Sequence, residues 1–256
     1  MTTSTSCEGC RAADATAFAI PFTMAFQPIV DLAGGRIWGY EALVRGLGGE
    51  GAHQVLSQVN KQNRYAFDQA CRVKAVELAA RQLGDQHSKL SINFMPNAVY
   101  EPAACIRATL AAASRMQFDT SRLMFEFTEN ENIVDVAHVQ HIVEEYRRMG
   151  FTTALDDFGA GYAGLSLLAR FQTDLIKIDM ELVRDIDSSR VKQAIVRSLV
   201  SLARELNIFL LAEGVETEAE LRMLRSAGID LFQGYYFAKP RLEAFTTLAE
   251  LTHKAA

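Results

Sequence analysis

The alternation of short β-like runs with longer amphipathic stretches constrains this chain more than any other feature. Eight runs rich in β-branched, aromatic and other apolar residues occupy 24–32, 37–46, 89–95, 122–129, 152–157, 175–180, 209–216 and 231–238. Between them, Ala66–Gln82, Asp135–Met149, Arg190–Leu206 and Glu218–Ser226 repeat apolar residues at helical spacing. That order calls for parallel strands joined by crossover helices. The first two runs differ, because a tight "AGG" turn joins them and suits an antiparallel hairpin. About eight strands in roughly 220 residues predict a closed (β/α)₈ barrel in preference to an open sheet. Residues 1–20 are small and polar and read as a poorly ordered leader, with 21–256 as one domain.

Composition narrows the function. At 256 residues and 49% hydrophobic content the chain can bury a sizeable core. A net charge of −5 argues against sequence-independent nucleic-acid binding, which needs a basic face. No apolar run is long enough to span a bilayer, and Glu8 with a lone early Arg11 does not resemble a secretory signal. Four cysteines (Cys7, Cys10, Cys71 and Cys105) fit a reduced cytoplasm better than a disulfide scaffold. Cys7 and Cys10 make one CxxC without a second, so an incidental pair is favoured over metal or redox use.

The polar residues at the strand ends carry the chemistry. In a (β/α)₈ barrel the reactive groups sit at the C-terminal ends of different strands. Glu41, Asn93, Glu126, Asp156 with Asp157, Lys177 and Glu213 all fall there. Taken singly, each acid is more often a cap, a turn former or a surface group, Lys177 could reach solvent, and Arg45 could simply pair with Glu41. Taken together, the carboxylates would repel one another in an apolar funnel unless cations neutralised them, and Lys177 alone is not enough. All-oxygen donors favour Mg²⁺ or Mn²⁺. Two ions, bridged by one aspartate of the pair while its neighbour reaches the second, would activate water for in-line attack on a phosphodiester. The HxxH of His138 and His141 lies on a helix where polar positions face solvent. "GAGYAG" lacks the spacing of a dinucleotide fingerprint.

With "QPIVD", "EALVRG", "FEFTENE", "DDFGAGYAGL", "IKID", "AEGVET" and "QGYYFAKP" in order, the chain resembles the EAL domains that hydrolyse cyclic di-GMP. The resemblance runs from about Phe22 to Leu242 and implies a modified TIM barrel with one antiparallel strand. It implies cleavage to linear pGpG with two Mg²⁺ or Mn²⁺ ions, Ca²⁺ binding without supporting turnover. Glu41, Asn93, Glu126 and Asp156 match the first ion's ligands, and Asp156 and Asp157 would face the second. Glu213 matches a glutamate that is either a ligand or the general base, and Lys177 would hold the attacking water or the phosphate. Gln27, Leu43, Arg45 and Gln233 match positions that contact the dinucleotide, and Glu216 matches a carboxylate supporting the ligands. Glu129 matches the acid that fixes a loop linking the site to dimerisation.

"INFM", "GYAGL" and "IDMEL" depart from the commoner family wording, which bears on regulation and dimer strength more than on chemistry. The turn with Gly159, Gly161 and Gly164, then Leu165, Leu167 and Leu168, leads to the expectation of a homodimer coupled to the metal site. The contrasting reading is a module that binds cyclic di-GMP or a protein partner without cleaving.

Overall fold

The computed structural model describes residues 20–83, 87–128, 135–161 and 164–252. Residues 1–19, with Cys7 and Cys10, and Glu129 lie outside the described residues. β1 (Thr23–Asp31) and β2 (Arg36–Arg45) form the expected antiparallel hairpin. Its turn is held by Asp31, which accepts from the Gly34 amide at 2.7 Å and pairs with Arg36 at 2.9 Å. Parallel pairing then runs from β2 through β3 (Lys89–Asn93), β4 (Leu123–Thr128), β5 (Thr152–Phe158), β6 (Leu175–Ile178), β7 (Phe209–Ala212) and β8 (Leu231–Phe232). β8 pairs antiparallel with β1, so the barrel closes with β1 as its reversed strand. A short ninth strand, β9 (Arg241–Leu242), pairs antiparallel with the first half of β1 and was not expected from the sequence. Beyond it, Phe245 stacks on Phe26 with ring centroids 4.1 Å apart, and the Tyr40 hydroxyl donates to the Thr246 carbonyl.

The crossover helices begin and end on local signals. α1 (Ala52–Leu56), α2 (Arg64–Leu83), α3 (Pro102–Cys105) and α4 (Arg107–Arg115) occupy the early connections. Asp135 caps α5 (Val136–Arg148) by accepting from the His138 amide, relieving an amide with no intrahelical partner. α6 (Gly164–Leu168) and α7 (Met180–Val183) are single turns near the mouth. α8 (Arg190–Leu206) starts at Ser189 and stops at Asn207, whose φ of 56° is left-handed. α9 (Glu218–Ala227) opens with a reciprocal capping box between Thr217 and Glu220, and α10 (Leu248–Thr252) follows β9.

Inside the barrel, side chains alternate inward and outward with period two. Ile29, Met124, Ala154, Leu175, Leu211 and Leu231 form one buried apolar cluster, each from a different strand, with Trp38 packed against it. Two residues further along five of those strands stand Glu126, Asp156, Lys177, Glu213 and Gln233. The interior therefore changes from hydrocarbon to charge over about 7 Å of strand. β3, β6, β7 and β8 are shorter than the sequence runs, because the chain turns at the mouth. Gly214 has φ +65°, and Asp179 accepts from the Glu181 amide to start α7. Glu213 and Gln233 thus sit just past the ends of β7 and β8.

Candidate active site

One buried ammonium organises the mouth. Lys177 is 1% exposed, and its Nζ lies 2.7 Å from Glu213 Oε1, 3.1 Å from Asp156 Oδ1, 3.2 Å from Glu126 Oε2 and 3.7 Å from Glu41 Oε2. Burial alone would push the Lys177 pKa down, yet Asp156, Glu126, Glu213 and Glu41 together hold it well above its ordinary value. The acids feel the reverse imbalance. Burial drives Glu126 and Glu213 well above the usual carboxylate range and raises Asp156, with Lys177 offsetting only part of the effect. Glu41 is the exception. Burial pushes it up, but Lys177 and hydrogen bonds from neighbouring groups bring it below its ordinary value. One lysine among so many acids leaves the site short of positive charge.

Hydrogen bonds aim the acids. Asn93 Nδ2 donates to Glu41 Oε1 at 3.1 Å and to Glu126 Oε1 at 3.0 Å. Gln233 Nε2 donates to Glu41 Oε2 at 2.7 Å, and the Ser91 hydroxyl to Glu126 Oε2 at 2.5 Å. The adjacent aspartates work together because the strand breaks between them. Asp157 has φ +55°, and the β5–β6 register shifts between Leu155 and Phe158. This local bulge defeats the alternation that would send two neighbours to opposite faces. Asp157 is steadied by the Thr128 hydroxyl at 2.8 Å. One oxygen each from Glu41, Glu126 and Asp156 lies within 4.8 Å of the others, and the same holds for Asp156, Asp157 and Glu213. Asp156 belongs to both triads. All-oxygen donors, a shared carboxylate and uncompensated negative charge fit two hard divalent cations.

Two cavities meet at these residues. One of about 310 Å³ runs from Glu41, Asp156 and Lys177 to Glu216 and Tyr235. The other, about 570 Å³ and largely apolar, is bounded by Leu43, Leu56, Phe67, Ile92 and Phe94. Glu41, Leu43 and Asp157 border both. Gln27 is buried between the carbonyl of Ala238 and the amide of Gln233. Gln233, expected to face a ligand, also contacts Glu41 directly. The Arg45 side chain donates to the Val44 carbonyl at 2.7 Å and borders neither cavity. Glu216 stands at the rim, 2.8 Å from Arg184. His138 bonds the Val99 carbonyl through its ring, and His141 is exposed. Ser91, Thr128 and Asp179 were missed by reading one polar residue per strand. Each lies two positions from a candidate, on the same inward face, and that period was the available signal.

Fold and site together define a TIM-type barrel with an acidic mouth suited to divalent cations. The chain belongs to the EAL family: the family model "EAL domain" matches residues 17–240. It is similar to a standalone EAL protein of Vibrio cholerae O395 solved in a c-di-GMP-bound form, at 56% identity and TM-score 0.86, covering 90% of this chain and 96% of that one. It is also similar to Klebsiella pneumoniae BlrP1 in a manganese/cy-diGMP complex, at 40% identity and TM-score 0.80, covering 89% of this chain and 57% of that one. Among curated relatives from Escherichia coli (strain K12), the blue light- and temperature-regulated antirepressor BluF is 34% identical over 88% of this chain and 56% of its own length. The cyclic di-GMP phosphodiesterase PdeR is 36% identical over 65% of this chain and 22% of its own. The chain therefore spans only about half or less of the length of these two.

Proposed function

We propose that this chain hydrolyses cyclic di-GMP to linear pGpG with two divalent cations, Mg²⁺ or Mn²⁺. The observation that carries the reading is Asp156, shared by two carboxylate triads that both touch one buried lysine. Glu41, Asn93, Glu126 and Asp156 would hold one ion, and Asp156, Asp157 and Glu213 the other. A half turn about χ2 brings the Asn93 oxygen to where its nitrogen now meets Glu41 and Glu126. When bound, the ions polarise the phosphoryl oxygens and make water acidic enough to attack. Lys177 holds the Glu213 carboxyl at 2.7 Å and can stabilise charge developing on the phosphate. Glu213, in the second triad and 2.7 Å from Lys177, would either ligate the second ion or, as the base, take the proton of the attacking water. Charge supports this stoichiometry: five carboxylates, one ammonium and two divalent ions sum to zero before the anionic substrate enters. Leu43 and the largely apolar cavity give a base a hydrocarbon wall, while Gln27 and Gln233 line the adjoining polar cavity.

The proposed setting is the bacterial cytoplasm, where a nucleotide messenger is met. No helix among the described residues is long and apolar enough to cross a membrane. Incubation of the purified chain with cyclic di-GMP and Mg²⁺ or Mn²⁺ should yield pGpG on chromatography, with little product in Ca²⁺, whose looser coordination does not hold water and phosphate in line. Binding without product under every metal would instead favour a non-cleaving module, the reading that similarity to an antirepressor supports.

A further inference from the structure

We propose that Ser91 is a positioning residue that makes Glu126 a one-oxygen ligand, and this rests on the two-ion reading above. Ser91 is fully buried in β3, two residues before Asn93 and directly opposite Glu41 in the β2–β3 register. Its hydroxyl donates to Glu126 Oε2 at 2.5 Å, and Lys177 approaches the same oxygen at 3.2 Å. A carboxylate oxygen has about two in-plane acceptor positions, so these donors occupy that atom. Oε1 is left to face Asn93.

Glu41 is arranged in parallel fashion. Its Oε2 accepts from Gln233 at 2.7 Å with Lys177 at 3.7 Å, and its Oε1 faces the same Asn93 amide. Ser91 and Gln233 therefore hold corresponding atoms on two glutamates from opposite sides. The pair of Oε1 atoms is presented to one point, the point Asn93 also reaches. Without the Ser91 hydroxyl, Glu126 can rotate about its terminal torsion, which is broad and weakly restrained. Outer groups that orient metal ligands typically change affinity by roughly ten- to a hundredfold. Ser91 does not reach a reacting atom. Its effect passes through Glu126.

The test is Mn²⁺ binding, measured by calorimetry and by electron paramagnetic resonance of free Mn²⁺, on the full chain and on S91A, S91T and S91V. Threonine and valine match in shape and differ by one hydroxyl, so comparing them cancels packing. S91A and S91V should weaken Mn²⁺ binding roughly ten- to a hundredfold, with S91T close to the parent. Chelated S91T and S91V should melt together, and at saturating Mn²⁺ the KM for cyclic di-GMP should change less than the metal requirement. Equal Mn²⁺ affinity in S91T and S91V, with the parent binding normally, would overturn the role of Ser91. Failure of the parent chain to bind Mn²⁺ would instead overturn the two-ion reading beneath it.

Discussion

At the scale of single residues, Asp156 and Lys177 have opposite expected signatures. Asp156→Asn keeps the shape but removes the charge and the oxygen shared by both triads. Hydrolysis should fall at least about a hundredfold, beyond what loss of an outer group costs. The chelated protein should not melt lower, because burial and like charges already disfavour ionised Asp156. Lys177→Met should do both kinds of damage. The four carboxylates lose the one near cation among the described residues, and breaking a buried pair costs about 3–5 kcal/mol. Denaturant unfolding with chelator should show it, and the loss should grow as pH rises and protonation relieves the acids less. With Mn²⁺ restored, kcat should remain depressed while KM changes little; a change confined to KM would remove Lys177 from the chemical step.

The same residues show what a sequence can disclose. Glu41, Glu126, Asp156, Lys177 and Glu213 were legible because each lies in the C-terminal half of a strand or just past it, and those ends converge in a barrel. Ser91 was not, since a serine within "KLSIN" reads as ordinary strand until Glu126 is seen against it. Arg45 shows the converse limit. A motif fixed its position at the end of β2, but only the local backbone shows that its guanidinium turns to the Val44 carbonyl.

Among elements, long helices were read nearly to the residue, whereas strands at the mouth were overextended. Helices announce their ends with caps such as Ser189 and Thr217. The β8 run continues apolar past its turn, whose cause is tertiary: a Cβ on Gly234 would lie 2.1 Å from the Val215 carbonyl oxygen. The α9 cap also supports a pH prediction. Burial raises the Glu220 pKa, but the amides of Glu216, Asp185 and Thr217, with Arg184, outweigh it and hold the carboxyl below its ordinary value. A depressed carboxyl stabilises the fold fully above its unfolded pKa and loses that contribution as pH falls through the folded value. Glu220→Gln should therefore cost about 1–2 kcal/mol at neutral pH. The gap from the parent should close as denaturant midpoints are followed down through the acid range below about pH 4.3. A constant gap would mean that shape, not charge, makes the cap.

For the whole molecule, the proposed homodimer must use less of the glycine-rich turn than the sequence suggested. Leu167 and Leu168 are in the barrel-to-helix core, at 3% and 5% exposure, and cannot meet a second copy. Leu165 is 64% exposed, and Val191 on the neighbouring crossover is 69% exposed. α6 and α8 follow adjacent strands β5 and β6, which puts these side chains on neighbouring crossovers, where a second copy would cover them. The link to the site runs through β5: Asp157 and Gly159 lie between the shared carboxylate and α6, and a Cβ on Gly159 would meet Leu182 at 2.5 Å. In a dimer, a shift of α6 is expected to reach Asp157 along the chain that joins them. Sedimentation across a dilution series should show a dimer, with specific activity falling as it dissociates. Leu165→Glu with Val191→Glu should sediment as monomer and need more Mn²⁺ for half-maximal activity, yet melt within a few degrees of the parent, since both side chains are exposed. A parent chain that is monomeric with constant specific activity at every dilution would leave the flank without this role.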